Sequence, residues 1–164
     1  MTPTDVLSRL GRVSCVINPL SGSTPEGAAD LIREKLSGLP DDPRIHVAGE
    51  GDLPLLVEQA LADEPDTLIA WGGDGTIACA LSHAGMTGPA VLPLPGGTMN
   101  MLPTRALGGD HDWETLVDAA LRGGRVRPMP CGEIIGGPRF FVAAMLGDMT
   151  RFTNSREALR EGKL

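Results

Sequence analysis

Two glycine-rich stretches and one proline-containing loop carry the residues of this chain best suited to chemistry. Trp71-Gly72-Gly73-Asp74-Gly75-Thr76 follows the apolar run Thr67-Leu68-Ile69-Ala70. It precedes Ile77-Ala78-Cys79-Ala80-Leu81-Ser82-His83-Ala84. The first run predicts a short buried strand, and the second a helix ending near Gly85. Three glycines between a strand and a helix let the backbone turn sharply and come close to a bulky ligand. The helix that follows offers free N–H groups and the positive end of its dipole, which together suit a phosphate. A carboxylate beside phosphate is repelled by it. Asp74 fits there if it handles a magnesium ion, or takes the proton of a hydroxyl that attacks the phosphate. The plainer alternative is a tight turn in which Asp74 caps the helix.

Pro95-Gly96-Gly97-Thr98-Met99-Asn100 has the same logic. A strand ends, a glycine pair permits close approach, and Thr98 and Asn100 supply side-chain hydrogen-bonding groups. The alternative is a type II turn with Thr98 capping a helix. Asn18-Pro19-Leu20-Ser21-Gly22 follows the apolar run Val13–Ile17. Asn18, Ser21 and the Gly22 backbone could hold a ribose or a phosphate, or could be a turn leading into a helix.

The elements that must position these loops alternate between strand and helix. Strands are predicted at Val13–Ile17, Arg44–Ala48, Thr67–Ala70 and Ala90–Leu94, with Pro93 marking a strand end or an edge position. A first helix is capped by Thr24, with Pro25 at its first position and Gly38 closing it. A second spans Leu53 to Ala62, and a further one Asp112 to Leu121. This is the grammar of βαβ units, so the fold class is α/β, a Rossmann-like parallel sheet with flanking helices. Ligands of such sheets bind beyond the C-terminal ends of the strands, where all three loops lie. After Gly124 the pattern changes. Val126 to Cys131 and Arg139 to Met145 read as antiparallel strands joined through Gly136-Gly137-Pro138. Residues 1–124 are therefore expected to form an α/β domain, and 125–164 to begin a β-rich second one. Arg151 to Lys163 is polar and reads as a short helix or a tail.

Composition narrows the classes of function. The chain has 164 residues, 41% hydrophobic and 3% aromatic, with no Tyr, so aliphatic side chains must build the core. Net charge is −7, and residues 1–100 hold 5 Lys+Arg against 13 Asp+Glu. An acidic, aromatic-poor chain is unsuited to reading nucleic acid. No stretch approaches the ~20 apolar residues needed to span a bilayer, and no secretory signal is evident. Cys15, Cys79 and Cys131 are far apart, without the spacing of a zinc site, and read as buried free thiols of a cytoplasmic protein. His46 alternates with Ile45 and Val47 and is expected to face solvent. His83 and His111 have no ligand-spaced partners, and the arginines between Arg122 and Arg127 read as a solvated turn.

In their order and spacing, the three motifs resemble the catalytic domain of the diacylglycerol kinase and sphingosine kinase family, the bacterial lipid kinases above all. Roughly 50 residues separate the first two motifs and about 20 the next two, a stronger constraint than any single motif. The likeness covers residues 12–150. It implies an ATP-dependent lipid kinase, with this chain as its ATP-binding lobe and Mg2+ as the metal. It implies that GGDGT cradles nucleotide phosphates and that Asn18, Ser21 and Thr98 lie around the nucleotide. The candidate nucleotide-binding set is Asn18, Pro19, Ser21, Gly22, Gly72, Gly73, Asp74, Gly75, Thr76, Gly97, Thr98 and Asn100. Asp74 is also the candidate catalytic residue, and no metal ligand is assigned among the set.

The implied partners are ATP and a lipid at a membrane surface, with a cytoplasmic location, peripheral to the membrane. No nucleic acid is expected, and oligomeric state is left open, a homodimer included. Relatives often follow GGDGT with an Asn-Glu pair where this chain has Ala78-Cys79. The family also carries a catalytic carboxylate and magnesium ligands in residues that would lie past Leu164. The expectation is thus a lobe that binds nucleotide without transferring phosphate by itself. An NAD-kinase-like enzyme, which shares GGDGT, and a nucleotide-binding regulatory module are the alternatives.

Overall fold

The computed structural model describes residues 10–49, 51–137 and 139–143. These fall into two compact units, divided between Pro130 and Cys131. In the first unit the strands are β1 (Val13–Ile17), β2 (Arg44–Val47), β3 (Thr67–Gly72) and β4 (Ala90–Pro95). They form one four-stranded sheet in the order β2-β1-β3-β4, every pair parallel. The helices are α1 (Ala28–Lys35), α2 (Leu53–Ala62), α3 (Asp74–Ala84), α4 (Met101–Leu107) and α5 (Trp113–Leu121). The fold is α/β, a parallel sheet with flanking helices, as its alternating pattern requires.

The sheet is covered on both faces. Cys15, Ile17, Ile69, Trp71 and Leu94 share one buried cluster with Ile32 and Leu36 of the α1 region and Leu116 and Val117 of α5. The alternate residues Val16, Leu68 and Ala70 are equally buried, and α2 and α3 pack beside them. This two-sided burial is why β1 and β3 read as continuous apolar runs rather than alternating ones. β4 lies at the end of the strand order, where the missing N–H of Pro93 is tolerated.

Several local expectations are corrected. The first helix begins at Ala28, not Pro25, because Gly27 is its N-cap, with a left-handed backbone (φ 71°). Thr24 does not cap it; its hydroxyl donates to the Gly96 carbonyl. The helix ends at Lys35 with Leu36 as C-cap, so Gly38 does not close it. Helix α4 follows Asn100 directly; Pro103 fits because it lies in the first turn, where no intrahelical N–H is needed. Val126–Cys131 is not a strand. Pro128 and Pro130 remove two ladder donors, and Arg127 instead donates to the carbonyls of Arg105 and Ala106 at the end of α4.

The second unit has its own two-stranded antiparallel ladder, β5 (Gly132–Glu133) with β6 (Arg139–Phe140). Gly136, at φ 73°, makes the turn between them. The expected strand residues Ala144 and Met145, and the segment Arg151 to Lys163, lie outside the described residues.

His46 is also corrected. Its ring Nε2 lies 2.7 Å from Asp63 Oδ2. Ser14 Oγ donates to the same oxygen at 3.2 Å, and Arg44 stands 3.7 Å from Oδ1. Burial pushes the Asp63 carboxyl up. The hydrogen bonds from His46 and Ser14, with the charges of His46 and Arg44, outweigh that and hold it below the usual carboxylate value. Of the thiols, Cys15 is buried and its pKa is pushed up to about 12 by that burial. Cys131 is exposed, contrary to expectation. Among the described residues, no helix is long and apolar enough to cross a membrane.

Candidate functional site

Strand order places the three loops together. The chain steps from β1 outward to β2, then returns to lay β3 on the other side of β1. The ends of β1 and β3 therefore flank the point where the winding reverses, which is where open α/β sheets bind ligands. The Asn18 loop leaves β1 and GGDGT leaves β3, on either side of that point. PGGTMN leaves β4 beside them.

Hydrogen bonds tie these loops to one another. Asn18 Nδ2 donates to Thr76 Oγ1 at 3.1 Å, while its Oδ1 accepts the Leu20 N–H at 3.1 Å. The Gly73 N–H donates to Ser21 Oγ at 3.0 Å. The Ser23 N–H and hydroxyl donate to the carbonyls of Gly96 and Gly97 at 2.8 and 2.7 Å. The segment 18–24 thus passes from the end of β1 over the end of β3 to the end of β4. Ser21 Oγ accepts from Gly73, so its own proton remains to be donated outward.

The glycines are required for close approach, not for turning. None of Gly72, Gly73, Gly75, Gly96 or Gly97 has a positive φ. A Cβ on Gly97 would lie 2.6 Å from the Gly73 Cα, and one on Gly96 would lie 2.9 Å from the Gly72 Cα. A Cβ on Gly72 would stand 2.7 Å from the buried Thr76 hydroxyl. Gly73 and Gly75 differ. A Cβ on Gly73 meets only ordinary contacts, 3.5 Å from the Gly97 Cα and 3.8 Å from Ser21 Oγ, and one on Gly75 meets nothing within 4 Å. Gly96 and Gly97 hold the β4 loop against the β3 loop, Gly72 makes room for Thr76, and Gly75 faces open space.

That open space is at the N-terminus of α3. Gly73 is the N-cap, with extended backbone, and Asp74 is the first helical residue. The first amide to close a bond back along the chain is that of Ile77, to the Gly73 carbonyl at 3.1 Å. The amides of Asp74, Gly75 and Thr76 have no acceptor within the helix. Asp74 does not cap its own helix. Its Oδ1 accepts the Leu102 N–H at 2.8 Å, in the first turn of α4. Asn100, left-handed at φ 47°, takes the Gly97 N–H on its Oδ1 at 2.8 Å. Thr98 is exposed; a Cβ on Gly22 would lie 3.0 Å from its hydroxyl. Pro19 is exposed at the crest of the first loop.

No role at the site was assigned from sequence to Trp71, Ser23 or Thr24. Trp71, fully buried, donates its indole N–H to the Pro95 carbonyl at 3.1 Å. Ser23 read as loop and Thr24 as the cap of α1, but both tie the first loop to Gly96 and Gly97. A polar pair directly after Ser21-Gly22 was the available signal.

Two clefts flank the loops. One, of about 330 Å³, is bordered by Ser23, Pro95, Asn100, Asp110, Asp112 and Trp113. The other, of about 190 Å³ at the end of β2, is bordered by Ala48, Asp52, Leu53, Leu55, Leu56 and Gln59. Among the described residues, no three His, Cys, Asp or Glu side chains gather as a metal cage. Mg2+ does not need one. It binds through substrate phosphates, water and one or two carboxylates, and Asp74 fits as such a carboxylate because only its Oδ1 is engaged by Leu102.

Comparison with known proteins gives the family. The family model of the diacylglycerol kinase catalytic domain matches residues 12–134. The structure resembles a diacylglycerol kinase from Bacillus anthracis str. Sterne, at 25% identity and a TM-score of 0.50, over 67% of this chain and 40% of that one. It also resembles a second protein of that strain, crystallised as a candidate diacylglycerol kinase, at 25% identity and a TM-score of 0.51, over 73% and 42%. The matched part is thus less than half the length of either solved chain.

Proposed function

The chain belongs to the diacylglycerol kinase catalytic-domain family, and from that premise we propose that it is the ATP-binding lobe of a lipid kinase. The observation that carries this reading is the free first turn of α3, framed by Gly73 and Gly75 at the strand-order reversal. The triphosphate lies against the amides of Asp74, Gly75 and Thr76, where helix dipole and N–H groups favour negative charge. Ser21 donates its hydroxyl proton to a phosphate oxygen while still accepting from Gly73. Pro19 shapes the first loop, and Asn18, Gly22, Gly72, Gly97, Thr98 and Asn100 fix the walls around the phosphates. Of the two clefts, the leucine-lined one suits an apolar base. The other carries two carboxylates, Asp110 and Asp112, against the single Asp52 of the leucine-lined one, and so repels a phosphate chain more strongly.

Bound Mg2+ would neutralise charge developing on the transferred phosphoryl group. Asp74 is the residue that would hold it, or would take the proton of the attacking hydroxyl. The acceptor is a lipid alcohol of the diacylglycerol or sphingoid type, met at the cytoplasmic surface of a membrane. Because the matched region is 40–42% of the solved relatives, we assign acceptor binding to sequence beyond this lobe. The 164-residue chain by itself then binds nucleotide with negligible transfer.

The test uses labelled ATP, Mg2+ and a panel of diacylglycerol and sphingoid-base vesicles. The chain alone should retain nucleotide on a filter and label no lipid, whereas a longer form carrying the acceptor domain should label one class. Efficient lipid labelling by the 164-residue chain would overturn the division of labour. Absence of nucleotide binding would overturn the lobe assignment itself.

A further inference from the structure

Trp71 stands directly before Gly72, at the last turn of strand before the α3 N-terminus. It pairs in register with Leu94, so its neighbour Gly72 pairs with Pro95. Its ring is wholly buried and stacks against Trp113 of α5, with centroids 4.7 Å apart and planes at 36°. Its indole N–H reaches across to the Pro95 carbonyl at 3.1 Å. Backbone amides of the two strands also meet there, Gly96 N–H to the Gly72 carbonyl at 2.9 Å. Next along β4, a Cβ on Gly96 or Gly97 would strike the α-carbon of Gly72 or Gly73.

We propose that Trp71 is a positioning residue for nucleotide, setting the separation of GGDGT from PGGTMN through its indole N–H. This rests on the nucleotide reading above. A buried indole N–H needs a partner, and Pro95 offers a carbonyl at the rim of the sheet. Removing the donor leaves that carbonyl unpaired and loosens the Pro95-Gly96 segment, which carries Ser23 and Thr24 on the Gly96 carbonyl. The slack passes to Ser21 and so to the Gly73 amide beside the phosphate site. Trp113 supplies the other half of the ring stack and borders the cleft of Asp110 and Asp112, which the nucleotide reading does not use.

The experiment compares MgATP binding by calorimetry with thermal unfolding, for the wild-type chain, Trp71→Phe and Trp113→Phe. Both substitutions remove ring area from the same pair, but only the first removes the hydrogen bond. Trp71→Phe should weaken MgATP five- to tenfold, and Trp113→Phe less than twofold, with similar losses of unfolding temperature. Should Trp71→Phe not fold, 3-benzothienylalanine at position 71 keeps the bicyclic shape and lacks only the N–H, and it should show the same weakening. Equal affinity of wild type and the N–H-deficient variant overturns the positioning role and leaves the lobe assignment standing. A wild-type chain with no MgATP affinity overturns both.

Discussion

At the end of β3 the chain passes from Gly73, with extended backbone, straight into the eleven-residue α3. At the end of β4 it passes through Asn100, in the left-handed conformation, into the seven-residue α4. Both are strand, glycine pair, helix. After β4 the amides are already engaged: Asn100 takes that of Gly97, and Asp74 takes that of Leu102. In the β3 loop Ser21 takes the Gly73 amide, and those of Asp74, Gly75 and Thr76 are left without helical acceptors. One loop is a clamp and the other a cradle. Asp74 joins them, since it starts the cradle helix and closes the first turn of the clamp helix.

This double engagement of Asp74 predicts the largest separable effect. Asp74→Asn retains an acceptor for the Leu102 amide and removes the charge. In an acceptor-competent form of the enzyme, phosphoryl transfer should fall by about 10²–10⁴, with the unfolding temperature near that of wild type. Asp74→Ala should lose transfer to the same degree and, in addition, about 1 kcal/mol of stability as the α4 end loses its cap. Equal stability of the two variants would remove the clamp from the account. Normal transfer by Asp74→Asn would remove the chemistry.

The glycines sharpen the same contrast in the isolated chain. Gly97→Ala forces a Cβ to within 2.6 Å of the Gly73 α-carbon, and neither backbone can give way without shifting a loop. It should cost about 1–3 kcal/mol, as overpacking does, read as a lower midpoint in urea. Gly75→Ala has open space around its Cβ and should leave the midpoint unchanged while weakening MgATP. If both variants lost stability alike, the division between spacing glycines and ligand-facing ones would fail.

Much of this was legible from the sequence, and the remainder was hidden for physical reasons. β1 and α2 lie where the apolar runs place them, because a strand buried on both faces and an amphipathic helix each leave a clear pattern. The meeting of the loops followed from parallel topology alone. What glycine was for did not follow: composition cannot tell a residue needed for φ from one needed for contact, and only packing shows Gly97 against Gly73. Trp71 read only as the first residue of the glycine-rich stretch, because its N–H acts across strands, on the Pro95 carbonyl. His46 was expected in solvent because period-two alternation assumes one wet face. In a sheet covered on both sides, the face holding Val16 and His46 meets the end of α2, and Asp63 is there.

The Asp63 cluster gives the smallest effect and serves as the control region. Its carboxyl titrates below the usual value in the fold, while the unfolded chain has about 3.9. Its contribution is therefore complete above the unfolded value and is lost as pH falls through the lower folded one. Asp63→Asn should flatten the acid limb of a stability-against-pH curve and leave MgATP affinity unchanged. An affinity change of more than twofold would mean that the two ends of the sheet are coupled.

The central claim is that the phosphates of ATP occupy the free first turn of α3 and not the clamped turn of α4. Amide-resolved NMR of the 15N-labelled chain, titrated with MgATP, tests it most directly. The account predicts that the largest shifts fall on the amides of Gly73, Asp74, Gly75 and Thr76, while those of Gly97 and Leu102 move little. Saturating shifts centred on Gly97 and Leu102, or none at either turn, would contradict it.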